Sequence, residues 1–177
     1  MHSSAQWHEN NFLLYATISG YLYRAHLPPA LCDSKPANQF WYISSMPKEL
    51  PIGLRGAAEM TVAHEHTLNH HNPELPAIFS TPHMIGLMEW AAANAMKPYC
   101  DPGEISVGTA INIEHRAPTV VGQHVRAEAT FESMKGKFYV FRVTARNDDH
   151  LIGCGTVTRA FVNPAKVAQK YSSSSKA

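Results

Sequence analysis

The chain has 177 residues, of which 45% are hydrophobic and 16% are charged. This length and composition favour one globular domain with an appendage, and they exclude global disorder. Lys and Arg total 15 and Asp and Glu total 14, so the formal net charge of +1 excludes the strongly basic surface typical of nucleic-acid-binding proteins. No apolar run is long enough to span a bilayer, and we therefore expect neither a nucleic-acid nor a membrane partner.

The three cysteines, Cys32, Cys100 and Cys154, are widely spaced and odd in number. This pattern favours a reducing compartment over a disulfide framework. The leading segment, MHSSAQWHENN, lacks the basic region of a signal peptide, and the first 45 residues contain one arginine, fewer than a transit peptide needs. We therefore expect a cytoplasmic protein, with a mitochondrial location as the alternative.

The first 45 residues also differ in composition from the rest, since they hold two basic and two acidic residues. The LPPAL and KPAN stretches that follow the apolar part of this region are typical of a linker. We expect an N-terminal extension of poor order over residues 1–48 and a folded domain over residues 49–163. Residues 164–177 are predicted to form a short helix and a flexible tail.

A strand is predicted over residues 54–63, and a polar segment follows over residues 64–76. This segment carries His64, His66, His70 and His71, which could be interpreted as a metal cluster. It has the composition of a loop, and it lacks cysteine and a second carboxylate at helical spacing. Zinc is therefore the weaker interpretation, and we predict no metal site.

The next element is a helix over residues 82–97. Thr81 is a favoured N-cap residue, and Pro82 suits the first helical position because its missing N–H would have no partner there. The helix should end before Pro98, since the residue that precedes a proline avoids the α region. Its residues are apolar almost all round, which predicts a helix wrapped by other elements.

The period changes to two after the turn at Pro102 and Gly103. Residues 105–116 alternate as in a strand, and one predicted face carries Ile105, Val107, Thr109, Ile111, Ile113 and His115. Further strands are predicted over residues 123–133, 138–147 and 151–162, and tight turns join them. One apolar helix beside an antiparallel sheet is an α+β arrangement.

Glu89 is the most informative residue of the helix, because its neighbours at helical spacing are Ile85, Ala92 and Met96. A lone carboxylate is costly to bury in apolar surroundings, and such burial favours the protonated form. This placement suits a general base or a nucleophile that works near neutral pH. The alternative is a carboxylate at the helix edge that reaches solvent or a salt bridge.

His115 and Thr81 are the other candidates. His115 shares its predicted strand face with Ile111 and Ile113, which should meet the helix. Thr81 lies at the helix N-terminus, where free N–H groups stabilise anions. Each also has an ordinary structural explanation, as a satisfied histidine at a strand end and as a helix cap.

The block FSTPHMIGLMEWAAANAMKPYCDPGEISVGTAINIEHRAPTVVGQHVRAEA, together with the later IGCGTVTRAFVN, resembles the fluoroacetyl-CoA thioesterase-like branch of the hotdog-fold superfamily. The resemblance covers roughly residues 50–170. It implies a hotdog fold, in which a curved antiparallel sheet wraps a long central helix. It also implies a homodimer, or a dimer of dimers, that binds acyl-CoA as substrate and needs no further cofactor.

The resemblance also implies a catalytic set, which falls by position on Thr81, Glu89 and His115. Gly108 matches a glycine that lines the acyl pocket, and the other expected substrate-binding residues are Leu75 and Phe79. The family's phenylalanine lid before the helix is replaced by Leu75 and Asn72 at the matching positions. This departure favours an acyl group other than fluoroacetyl.

The expected function is hydrolysis of a small or medium acyl-CoA thioester. Glu89 would either attack the carbonyl carbon or activate water as a base, and the sequence leaves both routes open. The alternatives are an acyl-CoA-binding hotdog protein without catalytic activity and a hotdog enoyl-CoA hydratase.

Overall fold

The computed structural model describes residues 13–18, 21–26, 43, 46–148 and 150–174. The chain divides into two compact units, Met1–Gln39 and Phe40–Ala177. In the first unit, strands β1 (Leu13–Ile18) and β2 (Tyr21–His26) pair antiparallel. Most other residues of the predicted N-terminal extension lie outside the described residues.

The second unit contains one five-stranded antiparallel sheet. Its strands are β3 (Arg55–Thr61), β4 (Ile105–His115), β5 (His124–Lys135), β6 (Phe138–Asn147) and β7 (His150–Val162), in the order β3-β5-β6-β7-β4. Each strand begins and ends within two residues of the bounds that the alternating sequence pattern predicted. The predicted α+β arrangement is confirmed.

The segment between β3 and the long helix is more regular than the predicted loop. It contains a 3₁₀ turn, His64–His66, and a single helical turn, α1 (Leu68–His71). The Thr67 side chain caps α1 by accepting a hydrogen bond from the His70 N–H at 3.3 Å. Elements this short bury no apolar stripe, which explains why the sequence pattern did not reveal them.

The long helix α2 (Thr81–Met96) packs against one face of the sheet and contacts all five of its strands. The predicted cap was wrong by one residue, because Ser80 is the N-cap and Thr81 is already the first helical residue. Beyond Met96 the chain continues through Pro98 as a 3₁₀ turn, Lys97–Tyr99. One face of α2 is buried in the core, through Met84, Leu87, Met88, Ala91, Ala92, Ala95 and Met96.

The predicted face of β4 is correct only for its second half. A one-residue β-bulge interrupts the pairing with β7 between Gly108 and Ala110. Side chains alternate along a strand, so an extra residue exchanges the two faces. After the bulge, Ile113 and His115 point towards α2 as predicted. Before it, Gly108 faces α2 and Val107 packs on the opposite face of the sheet, so the prediction for Val107 was wrong.

The chain after β7 forms helix α3 (Pro164–Ser174). Asn163 caps this helix, because its side-chain oxygen accepts hydrogen bonds from the backbone N–H groups of Ala165 at 3.0 Å and Lys166 at 3.4 Å. Among the described residues, no helix has both the length and the apolar character needed to cross a membrane.

Candidate active site

Thr81 and His115 meet at the N-terminal end of α2. The Thr81 hydroxyl oxygen lies 2.9 Å from Nδ1 of His115, which is a hydrogen-bond distance. Thr81 is exposed and His115 is half-buried. The other imidazole nitrogen, Nε2, is buried and has no hydrogen-bond partner among the described residues. His115 therefore contacts the exposed Thr81 hydroxyl through Nδ1.

The start of α2 also leaves backbone donors free. The first intrahelical hydrogen bond runs from the Met84 N–H to the Ser80 carbonyl at 3.1 Å. Ser80 provides no side-chain cap, because its hydroxyl lies 2.8 Å from Nδ1 of His83 instead. Pro82 has no N–H, so the N–H groups of Thr81 and His83 are the donors at this end that no described residue caps. Such groups carry the partial positive charge of a helix N-terminus.

Glu89 lies two turns further along α2, with 28% of its side chain exposed. It forms an ion pair with Arg159 of β7, whose Nη1 lies 3.3 Å from Oε1 of Glu89. Arg159 is only 5% exposed. Burial lowers the pKa of the Arg159 guanidinium, and the opposite charge of Glu89 partly offsets that effect. Glu89 therefore forms a salt bridge at the helix edge, as the alternative interpretation of the sequence proposed.

Gly108 of β4 lies directly against the carboxylate of Glu89. A Cβ atom at position 108 would overlap Oε1 of Glu89 and would lie 3.0 Å from its Cδ. No side chain fits there unless the carboxylate moves. The bulge that turns Gly108 towards the helix is therefore what leaves space for Glu89, and bulges often have this function beside active sites.

The structure thus brings the predicted residues together in two groups, Thr81 with His115 and Glu89 with Gly108. The rise of an α-helix separates Thr81 from Glu89 by about 12 Å along α2. Side chains on a helix lean towards its N-terminus, so the carboxylate leans towards Thr81. No hydrogen bond joins the two groups within the part of the chain that the structure describes.

The residues expected around the acyl group lie before α2. Leu75 is 42% exposed, whereas Phe79 is 1% exposed and belongs to the hydrophobic core. The Phe79 N–H donates to the Thr119 carbonyl at 2.7 Å, which ties this segment to the chain just after His115. Asn72 accepts a hydrogen bond from the Leu75 N–H through its backbone carbonyl at 3.0 Å. The role of these residues in substrate binding stays a prediction.

The histidine rings of the segment between β3 and α2 contact one another and the ring of His83, edge-on for His64 with His70 and for His70 with His71, tilted for His66 with His83 and stacked for His71 with His83. Their ring centroids lie 5.6 Å apart for His64 and His70, 5.2 Å for His70 and His71, 6.2 Å for His71 and His83, and 5.1 Å for His66 and His83. Burial lowers the pKa of His83, and the nearby histidines lower it further. Among the described residues, no group of three or more His, Cys, Asp or Glu side chains could hold a metal ion.

Cys100 and Cys154 are free thiols, and Cys32 lies outside the described residues. Burial raises the pKa of the Cys100 thiol, which disfavours the reactive thiolate.

Two residues of this site were missed from the sequence, Arg159 and Ser106. Arg159 alternates with Val157 and Phe161 on β7, so the alternating pattern places a cation on the buried face of that strand. A buried cation needs an acidic partner, and Glu89 was the candidate that the helix offered. The pairing of Arg159 with Glu89 could therefore have been predicted from the sequence. The position of Ser106 could not, because the bulge places Ser106 on the face opposite to the predicted one.

Comparison with known proteins bears on the family and the fold of the chain. Residues 62–165 match the family described as fluoroacetyl-CoA-specific thioesterase. A fluoroacetyl-CoA thioesterase from Streptantibioticus cattleyicolor is 40% identical over 129 residues, which cover 67% of this chain and 93% of that protein. The structure of the fluoroacetyl-CoA thioesterase FlK is 36% identical with a TM-score of 0.65, and the match covers 71% of this chain and 98% of that one.

A second similar structure is more distant. It is that of a hot-dog-like protein from Thermanaerovibrio acidaminovorans, which is 21% identical with a TM-score of 0.62 over 68% of this chain and 90% of that one. At this identity the likeness concerns the fold alone. Together with the FlK structure, it confirms the hotdog fold that the sequence resemblance implied.

Proposed function

Because the chain belongs to the fluoroacetyl-CoA-specific thioesterase family, and is thus a thioester hydrolase, we propose that it cleaves an acyl-CoA thioester along the face of α2 that carries Thr81 and Glu89. The observation that carries this proposal is the Glu89 carboxylate, held by Arg159 against the backbone at Gly108. A carboxylate fixed in this way at the edge of an apolar helix has the place that a base or nucleophile requires.

Two routes of thioester hydrolysis are possible with these residues. In the first, Glu89 takes a proton from water, the water oxygen bonds to the carbonyl carbon and the C–S bond breaks to release CoA thiolate. In the second, a Glu89 oxygen bonds to that carbon, the C–S bond breaks and a mixed anhydride forms, which water then hydrolyses to the acid and free Glu89. In both routes the thiolate takes up one proton.

Thr81 and His115 would assist at the other end of the reacting group. We assign His115 to proton transfer through Nδ1 and the Thr81 hydroxyl, since these atoms already lie at hydrogen-bond distance. The free N–H groups at the start of α2 would donate hydrogen bonds to the carbonyl oxygen and stabilise the negative charge that develops on it. Loss of one such donor typically raises a barrier by about 2.7–4 kcal/mol.

The acyl group is proposed to be larger or less polar than fluoroacetyl. Leu75 stands where the family's lid carries phenylalanine, and its side chain is 42% exposed near the segment that leads into α2. A smaller, flexible side chain at the mouth of the site leaves room for a longer or branched acyl chain.

We further propose that the working unit is a homodimer. β4 is an edge strand of the sheet, with Ile105 47% and Ile111 46% exposed. Trp90, next to Glu89 on α2, is 64% exposed. A second copy that pairs along β4 would cover the unpaired strand edge and these apolar side chains, and it would close the site from the open side.

The test is release of free CoA thiol from a panel of short, branched and aromatic acyl-CoAs, measured for the wild type and for Glu89→Ala. We expect turnover of at least one branched or medium acyl-CoA by the wild type and its loss in the variant. Tight acyl-CoA binding without thiol release would instead make the protein a binder. Loss of enoyl absorbance with the thioester intact would make it a hydratase.

A further inference from the structure

The guanidinium of Arg159 is bound on two sides. Its Nη1 donates to the carboxylate and to the backbone carbonyl of Glu89, both at 3.3 Å. Its remaining donors face β4, where Nε lies 3.2 Å from the Ser106 hydroxyl and Nη2 lies 2.8 Å from the Ser106 carbonyl. Ser106 thus accepts from two of the three nitrogens, and the third nitrogen is left to point at Glu89.

This arrangement decides how the guanidinium is oriented. The group is planar, and its donors form a rigid fork, so fixing Nε and Nη2 also fixes the direction of Nη1. Arg159 is 5% exposed, and a buried cationic donor without a partner is costly. The Ser106 hydroxyl therefore stabilises one orientation of the guanidinium, the one that meets Glu89.

The bulge in β4 is what places Ser106 there. Ser106 lies before the bulge and shares its face with Gly108, so both point towards α2. At the bulge itself, the Thr109 hydroxyl donates to the Thr158 carbonyl at 3.1 Å, which links the irregular segment to β7 beside Arg159. The same irregularity thus provides the space for the carboxylate and the acceptor for its cationic partner.

We propose that Ser106 is a positioning residue that acts through Arg159 to hold the Glu89 carboxylate in its reactive place. The inference rests on the proposed function of Glu89. In this role Ser106 acts through Arg159 and not by binding the substrate, so its removal should lower kcat more than it changes KM.

The first part of the test compares Ser106→Ala with Ser106→Thr and with Ser133→Ala, a half-buried serine of β5 that lies outside this network. Thiol release should fall roughly tenfold in kcat for Ser106→Ala, with KM changed less than twofold. Ser106→Thr keeps the hydroxyl and should restore most of the rate. Ser133→Ala should behave like the wild type. Thermal unfolding of each variant checks that the fold is retained.

A double-mutant cycle then tests the route. In an Arg159→Met background, Ser106→Ala should cause no further loss, because the residue through which it acts is already absent. An undiminished effect of Ser106→Ala in that background would overturn the inference, and so would a kcat equal to that of Ser133→Ala.

The second part needs no turnover. Carbodiimides react with carboxyl groups, and a carboxyl group that its cationic partner no longer holds is more open to the reagent. Peptide mass spectrometry should show at least threefold faster modification of Glu89 in Ser106→Ala than in Ser133→Ala. If this holds while the wild type cleaves no acyl-CoA, the proposed function fails and the positioning contact stands. If modification is unchanged in an active enzyme, the inference fails alone.

Discussion

Strands β6 and β4 belong to one sheet and face the same helix, yet they differ in regularity and in what they contribute. β6 lies inside the sheet between β5 and β7. Its inward residues alternate without interruption, and Phe141 and Val143 are completely buried. β4 lies at the edge, contains a bulge and presents Gly108 and half-buried polar side chains to the helix.

The difference shows how one sheet provides both stability and chemistry. Large apolar side chains on β6 fill the space below α2 and leave no room for a substrate. On β4, the glycine and the bulge open a space beside Glu89, and the buried Arg159 supplies the charge that a carboxylate in that space needs. The energetic cost of these irregular features is balanced by the close packing of the regular strands.

The largest expected effect lies on the regular side. Phe141→Ala removes a ring that is 0% exposed and packs 5.4 Å, centroid to centroid, from the ring of Phe131. The free energy of unfolding should fall by about 3–5 kcal/mol, because a cavity replaces the ring. Urea denaturation measures this loss. The activity of the fraction that stays folded should change little, and a large drop in kcat with unchanged stability would contradict the division between the strands.

On the irregular side the effect should fall on chemistry. In Gly108→Ala the new methyl group overlaps the Glu89 carboxylate, which must move. We expect kcat/KM for thiol release to fall roughly 100-fold, equivalent to about 2.7 kcal/mol of barrier. Gly86→Ala is the matched control, because a Cβ at position 86 meets nothing within 4 Å and helix propensity favours alanine. Equal activity of the two variants would show that the close approach at Gly108 has no catalytic importance.

A smaller difference concerns pH. The side chains that β6 buries carry no charge near neutral pH, since burial raises the pKa of Tyr139 above its ordinary value of 10.0. Burial and neighbouring histidines instead lower the pKa of His83 at the start of α2 from its ordinary value of 6.5. The unfolded chain therefore binds more protons than the folded chain as pH falls below about 6.5. The stabilising contribution is complete above that pH and is lost as the pH falls towards the folded-state value.

Melting temperatures at pH 7.5 and 5.5 test this effect. The wild type should melt a few degrees lower at pH 5.5, and His83→Gln should lose part of that difference. His150→Gln, at an exposed position of β7, is the control and should keep the whole difference. An unchanged pH dependence in His83→Gln would remove His83 as its cause.

Much of this molecule follows from its sequence for physical reasons. Strict alternation along β6 and the apolar surface of α2 give strong periodic signals, so the order of the five strands of the large sheet and the long helix was predicted correctly. Thr81, Glu89 and His115 were singled out because polar groups stand out against apolar neighbours. The one-residue shift of the cap at Ser80 is small, since both Ser80 and Thr81 are good capping residues.

The missed features have causes of another kind. A bulge moves every residue on one side of it to the face opposite to the one that strict alternation predicts. The residue types at Gly108 and Thr109 do not by themselves predict a bulge. The position of Ser106 could therefore not be read from the alternating pattern. Arg159 could have been paired with Glu89, because two opposite charges among apolar residues rarely remain apart. That inference requires the strand and the helix to be considered together.

The central claim is that the Glu89 carboxylate performs the chemistry, and the most direct measurement is kcat/KM for thiol release by Glu89→Gln. Glu128→Gln is the matched control, since Glu128 also pairs with an arginine, Arg126, at 3.2 Å, but on an exposed part of β5. We expect a loss of at least 100-fold in Glu89→Gln and less than twofold in Glu128→Gln. Comparable hydrolysis by the two folded variants would contradict the account.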